Sequence, residues 1–297
     1  MLKKISSYTL VLLSLIILNS CEKEYESIQS IDDRKIEEYI ASSNVSNAVK
    51  DPSGFYYQVL TQGNGEPFDN GDSVLYKVTV KSLLNGTTYY TSPANSNIGT
   101  LVGYSHTLLG LNIPGVRIAI ASLNAGGTAR VILPSYLAFG KNGNKTNGVP
   151  SNELIEVVIS TFPEKNQRLL DDRLIREYLQ AKGLTALKDE KSGVYYIKTQ
   201  DGTGTDPIDL STSLKANYIG RYLDGTVFET NTDGDFSFTL ETLKANWDVL
   251  TKFNKGAKVR IFIPSSEAYG NAGSGTVGGI LPNAILDFDI EILEVGN

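Results

Sequence analysis

The feature that most constrains this chain of 297 residues is that it is written twice. Asp32-Asp33-Arg34-Lys35-Ile36-Glu37-Glu38-Tyr39-Ile40 returns as Asp171-Asp172-Arg173-Leu174-Ile175-Arg176-Glu177-Tyr178-Leu179. Ser53-Gly54-Phe55-Tyr56-Tyr57 returns as Ser192-Gly193-Val194-Tyr195-Tyr196, and Gln62-Gly63-Asn64-Gly65 faces Asp201-Gly202-Thr203-Gly204. Leu133-Pro134-Ser135-Tyr136-Leu137-Ala138-Phe139-Gly140 pairs with Ile263-Pro264-Ser265-Ser266-Glu267-Ala268-Tyr269-Gly270. Several matches in one order mean duplication of a unit of about 130 residues, the length of a whole domain rather than of a solenoid repeat.

Each unit begins with an amphipathic helix. Ile36, Tyr39 and Ile40, and again Ile175, Tyr178 and Leu179, fall at i, i+3, i+4, and Asp33 and Asp172 stand where an N-cap is expected. Strand-like runs follow at 55–60 and 73–80, answered by 194–198 and 214–219, rich in β-branched and aromatic residues. A short helix is expected mid-unit. Pro114 takes its first position, Val116, Ile120 and Leu123 its stripe, and Gly126 its stop. In the second unit Trp247, Leu250 and Phe253 play the same part, with Gly256 as the stop. Each unit closes on a strand, and the second alternates cleanly, with Leu286, Phe288, Ile290 and Ile292 on one face. Strands dominate and one helix must cover the sheet, which gives an α+β class. Polar, unpatterned residues 163–168 read as the linker.

Composition removes several functions. There is one Cys, Cys21, and one His, His106, so neither a Cys/His nor a Ser/His relay with a spare partner is available, and no Cys-based metal site. Basic residues number 27 against 33 acidic, a net charge of −6 with no basic run, which argues against nucleic acid as a partner. No cofactor is implied. The N-terminus reads as an address: Lys3 and Lys4, an apolar run from Thr9 to Leu18, then Asn19-Ser20-Cys21. The run is too short for a membrane span of about 20 residues.

Leu18-Asn19-Ser20-Cys21 resembles the lipobox of bacterial lipoproteins. That resemblance implies a signal peptide over 1–20, lipid on Cys21, a flexible tether over 21–31, and anchoring in the cell envelope, most naturally at the outer membrane. The charged Glu22-Lys23-Glu24 that follows is similar to the surface-export signals of Bacteroidota lipoproteins.

Tyr218-Ile-Gly-Arg-Tyr-Leu-Asp-Gly-Thr-Val-Phe-Glu-Thr230 resembles the FKBP stretch Tyr-x-Gly-x-Leu-x-Asp-Gly-x-x-Phe-Asp-Ser. Ile263-Pro-Ser-Ser-Glu-Ala-Tyr-Gly270 and Ile280-Leu-Pro-Asn-Ala-Ile-Leu-Asp-Phe-Asp-Ile-Glu-Ile-Leu293 resemble that family's C-terminal signature. The resemblance implies two FKBP-like domains, 32–163 and 164–297, each a curved antiparallel sheet wrapped around a short helix. It also implies peptidyl-prolyl cis-trans isomerase activity on proline-containing polypeptides. Carried onto the second unit, the family's pocket comprises Tyr218, Phe228, Phe236, Trp247, Tyr269, Ile280 and Phe288. Trp247 is its floor, Glu229 stands for the family's Asp, and Leu243 matches the position whose backbone N–H binds a ligand carbonyl.

The first unit departs further. Tyr76 is matched to the first pocket Tyr, but Tyr89-Tyr90 replaces Phe-Asp, Val116 the floor Trp, Phe139 the hydroxyl-bearing Tyr and Val157 the last-strand Phe. It reads as a degenerate domain. Two functions follow: an envelope isomerase and folding helper acting through the second domain, or a non-catalytic polypeptide-docking lipoprotein that kept the fold.

Overall fold

The computed structural model describes residues 25–43, 45, 47–104, 107–276 and 278–296. The leader, Cys21 and His106 lie outside the described residues. Among the described residues no helix is long and apolar enough to cross a membrane.

Among the described residues three α-helices punctuate the chain: α1 (Ile28–Ser42), α2 (Pro114–Ala121) and α3 (Gln167–Ala181). Helices α1 and α3 open the two repeats, but their caps are not the expected aspartates. Ser27 Oγ accepts from the Ser30 N–H at 3.1 Å, and Asn166 Oδ1 from the Leu169 N–H at 3.0 Å. Gln167 and Arg168, read as linker, form the first turn of α3. The repeated acidic pair sits inside each helix and docks it on the sheet. Asp32 Oδ2 accepts from the Ser135 N–H and hydroxyl at 2.8 and 2.6 Å; Asp171 Oδ2 accepts from Ser265 in the same way, at 2.8 and 2.6 Å. All four residues are buried. Burial pushes the Asp171 carboxyl pKa up, while the hydrogen bonds from Ser265, Gln167 and Ser266 oppose that shift.

The first domain contains β1 (Val49–Lys50), β2 (Tyr56–Thr61), β3 (Ser73–Ser82), β4 (Thr88–Thr91) and β5 (Ile98–Leu101). A small hairpin, β6 (Thr107–Leu108) and β7 (Leu111–Asn112), precedes α2, and β8 (Thr128–Leu133) and β9 (Ile155–Thr161) complete the domain. The second domain has β10 (Leu187–Lys188), β11 (Tyr195–Gln200), β12 (Leu214–Arg221) and β13 (Val227–Asn231). Then come β14 (Ser237–Phe238), β15 (Lys258–Ile263) and β16 (Leu286–Val295). The sheets share one antiparallel order, β1-β2-β8-β9-β3-β4 with β5 beside β3, and β10-β11-β15-β16-β12-β13 with β14 beside β12. The repeat read in the sequence is therefore a repeat of topology.

Period-two alternation gives each sheet two covered faces. Along β12, Leu214, Ala216, Tyr218 and Gly220 point into the inner core. Leu286, Phe288, Ile290 and Ile292 of β16 join them, as their spacing predicts. The outer face carries the opening helix: Ile175 and Leu179 of α3 pack with Tyr195, Phe262 and Ile285, and Ile36 of α1 packs with Tyr56, Leu83, Ile132 and Leu154.

The mid-unit helix differs between the domains. In the first, Pro114 at the start of α2 pre-sets the helical φ, and Val116, Ile120 and Leu123 are buried as expected. In the second it is not α-helical. Trp247 precedes a five-residue 3₁₀ turn, Asp248–Lys252, closed by Leu250 N–H to Trp247 O at 2.9 Å and Phe253 N–H to Leu250 O at 3.0 Å. The apolar spacing of Trp247, Leu250 and Phe253 is met here by i to i−3 bonds rather than by the i to i−4 ladder of an α-helix.

Candidate functional site

The second domain gathers the predicted residues into one aromatic cluster on its inner face. Tyr218 comes from β12, Phe228 from β13, Phe288 from β16 and Trp247 from the start of the 3₁₀ turn. Tyr218 lies 5.5 Å from Trp247, 5.0 Å from Phe236 and 6.0 Å from Phe288, ring centre to ring centre, all edge-on. Phe288 lies 5.1 Å from Trp247 and 5.6 Å from Phe228, again edge-on. Such T-shaped contacts put positive ring edges on negative faces and fix ring directions. Tyr218, Trp247 and Phe288 are buried and make a floor. Phe228, Phe236, Leu243, Tyr269 and Ile280 pack against it half-buried, as a rim.

Polar groups complete the arrangement. The Glu229 carboxylate lies beside the Tyr218 phenol. Burial first, and Glu229 second, push the phenol pKa of both Tyr218 and Tyr269 up, which keeps both hydroxyls protonated as donors. The Trp247 indole N–H is buried with no partner among the described residues, leaving a donor unpaired at the floor. Leu243 departs from expectation. Its N–H donates to Leu240 O at 3.2 Å, closing the 3₁₀ turn Leu240–Thr242, and is not a free donor.

Three residues of the site had not been singled out from the sequence. Phe238 adds a ring 5.4 Å from Trp247 and stacks on Phe236 at 4.9 Å. Tyr222 sits behind Phe228 at 5.1 Å, and its hydroxyl accepts from the Leu281 N–H at 3.1 Å, pinning the segment that carries Ile280. Gly220 is the third. A Cβ there would meet Phe228 Cε2 and Phe288 Cε1 at 2.6 Å each, so the strand must be bare for these two rings to lie across it.

Sheet register shows what the first domain did with the same place. Val80 faces Val157 across the ladder as Gly220 faces Phe288, and Val80 pairs with Tyr90 as Gly220 pairs with Glu229. Tyr89 and Tyr90 thus replace Phe228 and Glu229, as the sequence indicates. The match of Tyr76 to Tyr218 is corrected by two residues. Val78 pairs with Ile159 as Tyr218 pairs with Ile290, while Tyr76 stands at the register of Ala216. Val78, Val80, Val116 and Val157 therefore fill the space that aromatic rings line in the second domain, and all four are buried. Leu109 and Leu111 of the β6–β7 hairpin pack on this core, and Asn144 Nδ2 donates to Leu109 O at 3.3 Å.

Comparison with known proteins agrees with this geometry. The family model for FKBP-type peptidyl-prolyl cis-trans isomerase matches residues 63–160 and 205–293, well over half of the chain. Escherichia coli (strain K12) FKBP-type peptidyl-prolyl cis-trans isomerase FkpA is 38% identical over 112 residues, 37% of this chain and 40% of that protein. Coxiella burnetii peptidyl-prolyl cis-trans isomerase Mip is 32% identical over 124 residues, 40% of this chain and 53% of that one. The matched segments thus span about two fifths to one half of these relatives. Among solved structures, E. coli FkpA is 29% identical with a TM-score of 0.37, covering 44% of this chain and 59% of its own. The three FKBP domains of wheat FKBP73 are 18% identical with a TM-score of 0.34, covering 82% and 95%. Two family matches in one chain, each on a sheet of the same order, make this protein a tandem-domain member of the FKBP-type peptidyl-prolyl cis-trans isomerase family.

Proposed function

We propose that this protein catalyses cis–trans isomerisation of Xaa-Pro bonds in polypeptides through its second domain. One observation carries the reading: an aromatic floor of Tyr218, Trp247 and Phe288 under a half-open rim exists in that domain, and valines stand in its place in the first. The reaction suits such a site. Amide resonance sets a barrier of about 18–20 kcal/mol to rotation, and crossing it needs neither a nucleophile nor a proton acceptor. An apolar cage that holds the prolyl ring favours the twisted, less delocalised amide over either planar form, which is differential binding of the transition state. The Tyr269 hydroxyl is the donor assigned to the substrate carbonyl, and each gain of about 1.36 kcal/mol in the twisted state is worth about tenfold in rate.

The test is two-dimensional exchange NMR of an Xaa-Pro peptide with the chain from residue 22 onward. A Tyr269→Phe, Phe288→Ala variant is expected to lose most of the acceleration, by about tenfold or more. With both phenols held protonated, the wild-type rate is expected to be flat from about pH 6 to pH 9. The phenol shifts also favour the fold: their contribution is complete below the unfolded tyrosine value near 10 and is lost as pH rises through the raised folded values. No acceleration by folded wild type at high concentration sinks the enzyme reading. What then stands is polypeptide docking without chemistry, a reading favoured by the Leu243 N–H being engaged with Leu240 O.

We also propose that the protein works in the cell envelope, held by lipid on Cys21. The support is the basic start, short apolar run and terminal Cys of the leader. Recovery of a Cys21→Ser form in the same membrane fraction as wild type would refute the anchor.

A further inference from the structure

Between β4 and β5 the first domain sends out a short strap, residues 92–97, which meets the second domain at the base of its rim. The strap is rigidly seated on its own domain. Ser92 exchanges two hydrogen bonds with Val78, its N–H to Val78 O at 2.9 Å and its Oγ accepting from the Val78 N–H at 3.0 Å. Lys77 Nζ holds Ala94 O at 2.6 Å.

The tip of the strap grips the second domain. Ser96 Oγ donates to Pro282 O at 2.7 Å, and Asn283 Nδ2 donates to Asn97 O at 3.0 Å. Asn97 and Gln167 form a reciprocal amide pair, at 2.9 and 3.1 Å. Gln167 Nε2 also reaches Asp171 Oδ1 at 2.8 Å, and Asp171 holds Ser265 at the turn that leads into Tyr269. Asn95 Nδ2 adds a bond to Asp224 Oδ2 at 2.6 Å, in the turn between β12 and β13.

These partners lie where the rim closes. Its loop runs from Tyr269 to Asn283 and carries Ile280, and the Asn283 N–H donates to Gly270 O at 2.8 Å, tying the two ends together. The first domain contains the same closure, Asn152 N–H to Gly140 O at 2.8 Å, with both asparagines in the left-handed region at φ 55 and 53. There the resemblance stops. Asn152 is exposed, whereas Asn283 is 7% exposed beneath the strap, and Ile28 stands at the repeat position of Gln167. The second domain alone carries the polar layer that receives the strap.

We propose that Ser96 and Asn97 of the first domain are positioning residues for the second domain's site, fixing the Tyr269–Asn283 rim so that the first domain serves as its intramolecular brace. The proposal rests on the isomerase reading for its catalytic consequence but is read separately as order in the rim. A brace of this kind lowers the ordering cost paid when substrate binds, so its loss falls on KM more than on kcat.

The experiment compares the chain from residue 22 onward with its Ser96→Ala, Asn97→Ala double variant and with Asn152→Gly, the same corner in the first domain. Amide hydrogen exchange of the rim in the double variant is expected to quicken by about tenfold, while β15 and β16 stay as protected as in wild type. KM for the Xaa-Pro peptide is expected to rise several-fold, about three to ten, with kcat nearly unchanged. Asn152→Gly is expected to alter neither quantity. Unchanged rim exchange overturns the proposal, and so does a loosened rim with KM unchanged. If wild type shows no acceleration at all, the isomerase reading has failed, and the exchange difference between the same two proteins still decides whether the strap orders the rim.

Discussion

Replacing Gly220 by alanine is expected to cost the second domain about a hundredfold in kcat/KM, equivalent to about 2.7 kcal/mol of transition-state stabilisation. The domain is expected to remain folded. Two effects on stability oppose each other. Alanine restricts the unfolded chain and fits extended backbone, a gain of about 0.4–1 kcal/mol. Against that, its Cβ would lie 2.6 Å from one ring atom of Phe228 and 2.6 Å from one of Phe288. Overpacking of this kind costs about 1–3 kcal/mol, so the steric term wins and the rings move. They are the part free to yield, because the β12 backbone is held by the ladders to β13 and β16 on either side. Displacing Phe288 disturbs the edge-on contact with Trp247 at 5.1 Å, so the emission of the single Trp should shift with the activity. The first domain already contains a bulkier form of this experiment, since Val80 occupies the same register opposite Val157. Wild-type kcat/KM in Gly220→Ala would show that the Phe228–Phe288 pair is core packing with no part in the site.

Why some of this could be read from the sequence and some could not follows from the physics of each element. The aromatic floor was legible through the family resemblance, whose motif order carries Tyr218, Trp247 and Phe288 onto this chain, while strand periodicity alone says only which residues share a face. Tyr76 shows the limit of that logic. A slip of two residues preserves the face, so periodicity cannot separate Tyr76 from Val78; only the pairing of Val80 with Val157 does. The aspartates of the repeated Asp-Asp-Arg looked like caps because they are acidic and open an amphipathic run. Asp33 instead accepts from the Tyr136 hydroxyl and Asp172 from the Tyr195 hydroxyl, while Asp32 and Asp171 beside them reach Ser135 and Ser265, over a hundred and over ninety residues away in sequence, where no local rule reaches. The same holds for Asn97 and Asn283, 186 positions apart. The 3₁₀ turn after Trp247 was misjudged as a helix because Trp247, Leu250 and Phe253 are three residues apart, a spacing that a 3₁₀ turn meets as well as an α-helix. The role of Gly220 depends on an empty volume, and an absence of atoms leaves no periodic signal.

Asp287 sits between Leu286 and Phe288 and, by alternation, belongs to the outer face, where a carboxylate is ordinarily solvated. It is 0% exposed. Arg260 grips it with two nitrogens at 2.9 and 2.7 Å, and Arg221 with two more at 2.9 and 3.3 Å. Arg260 also donates to the Tyr178 hydroxyl at 2.8 Å, which ties α3 to the sheet through the same carboxylate. Contact with Asp287 raises the Arg260 pKa above its ordinary value. An exposed pair is worth at most about 1 kcal/mol, but removing one member of a buried group strands the others, at about 3–5 kcal/mol. Asp287→Ala leaves Arg260, 19% exposed, without its anion, while Arg221, 16% exposed, keeps Asp289 at 2.7 Å. The lower end of that range is therefore expected, read as a shift in the urea midpoint of the second domain with its m-value unchanged. Replacing all three residues by apolar side chains of similar volume should recover most of the loss, because the cost lies in the uncompensated charge rather than in the missing attraction. The aromatic site lies on the other face of β16, so folded Asp287→Ala protein is expected to keep its kcat/KM while Gly220→Ala loses it. A loss of less than about 1 kcal/mol in Asp287→Ala would mean that water reaches the arginines and that α3 is held by its apolar face alone.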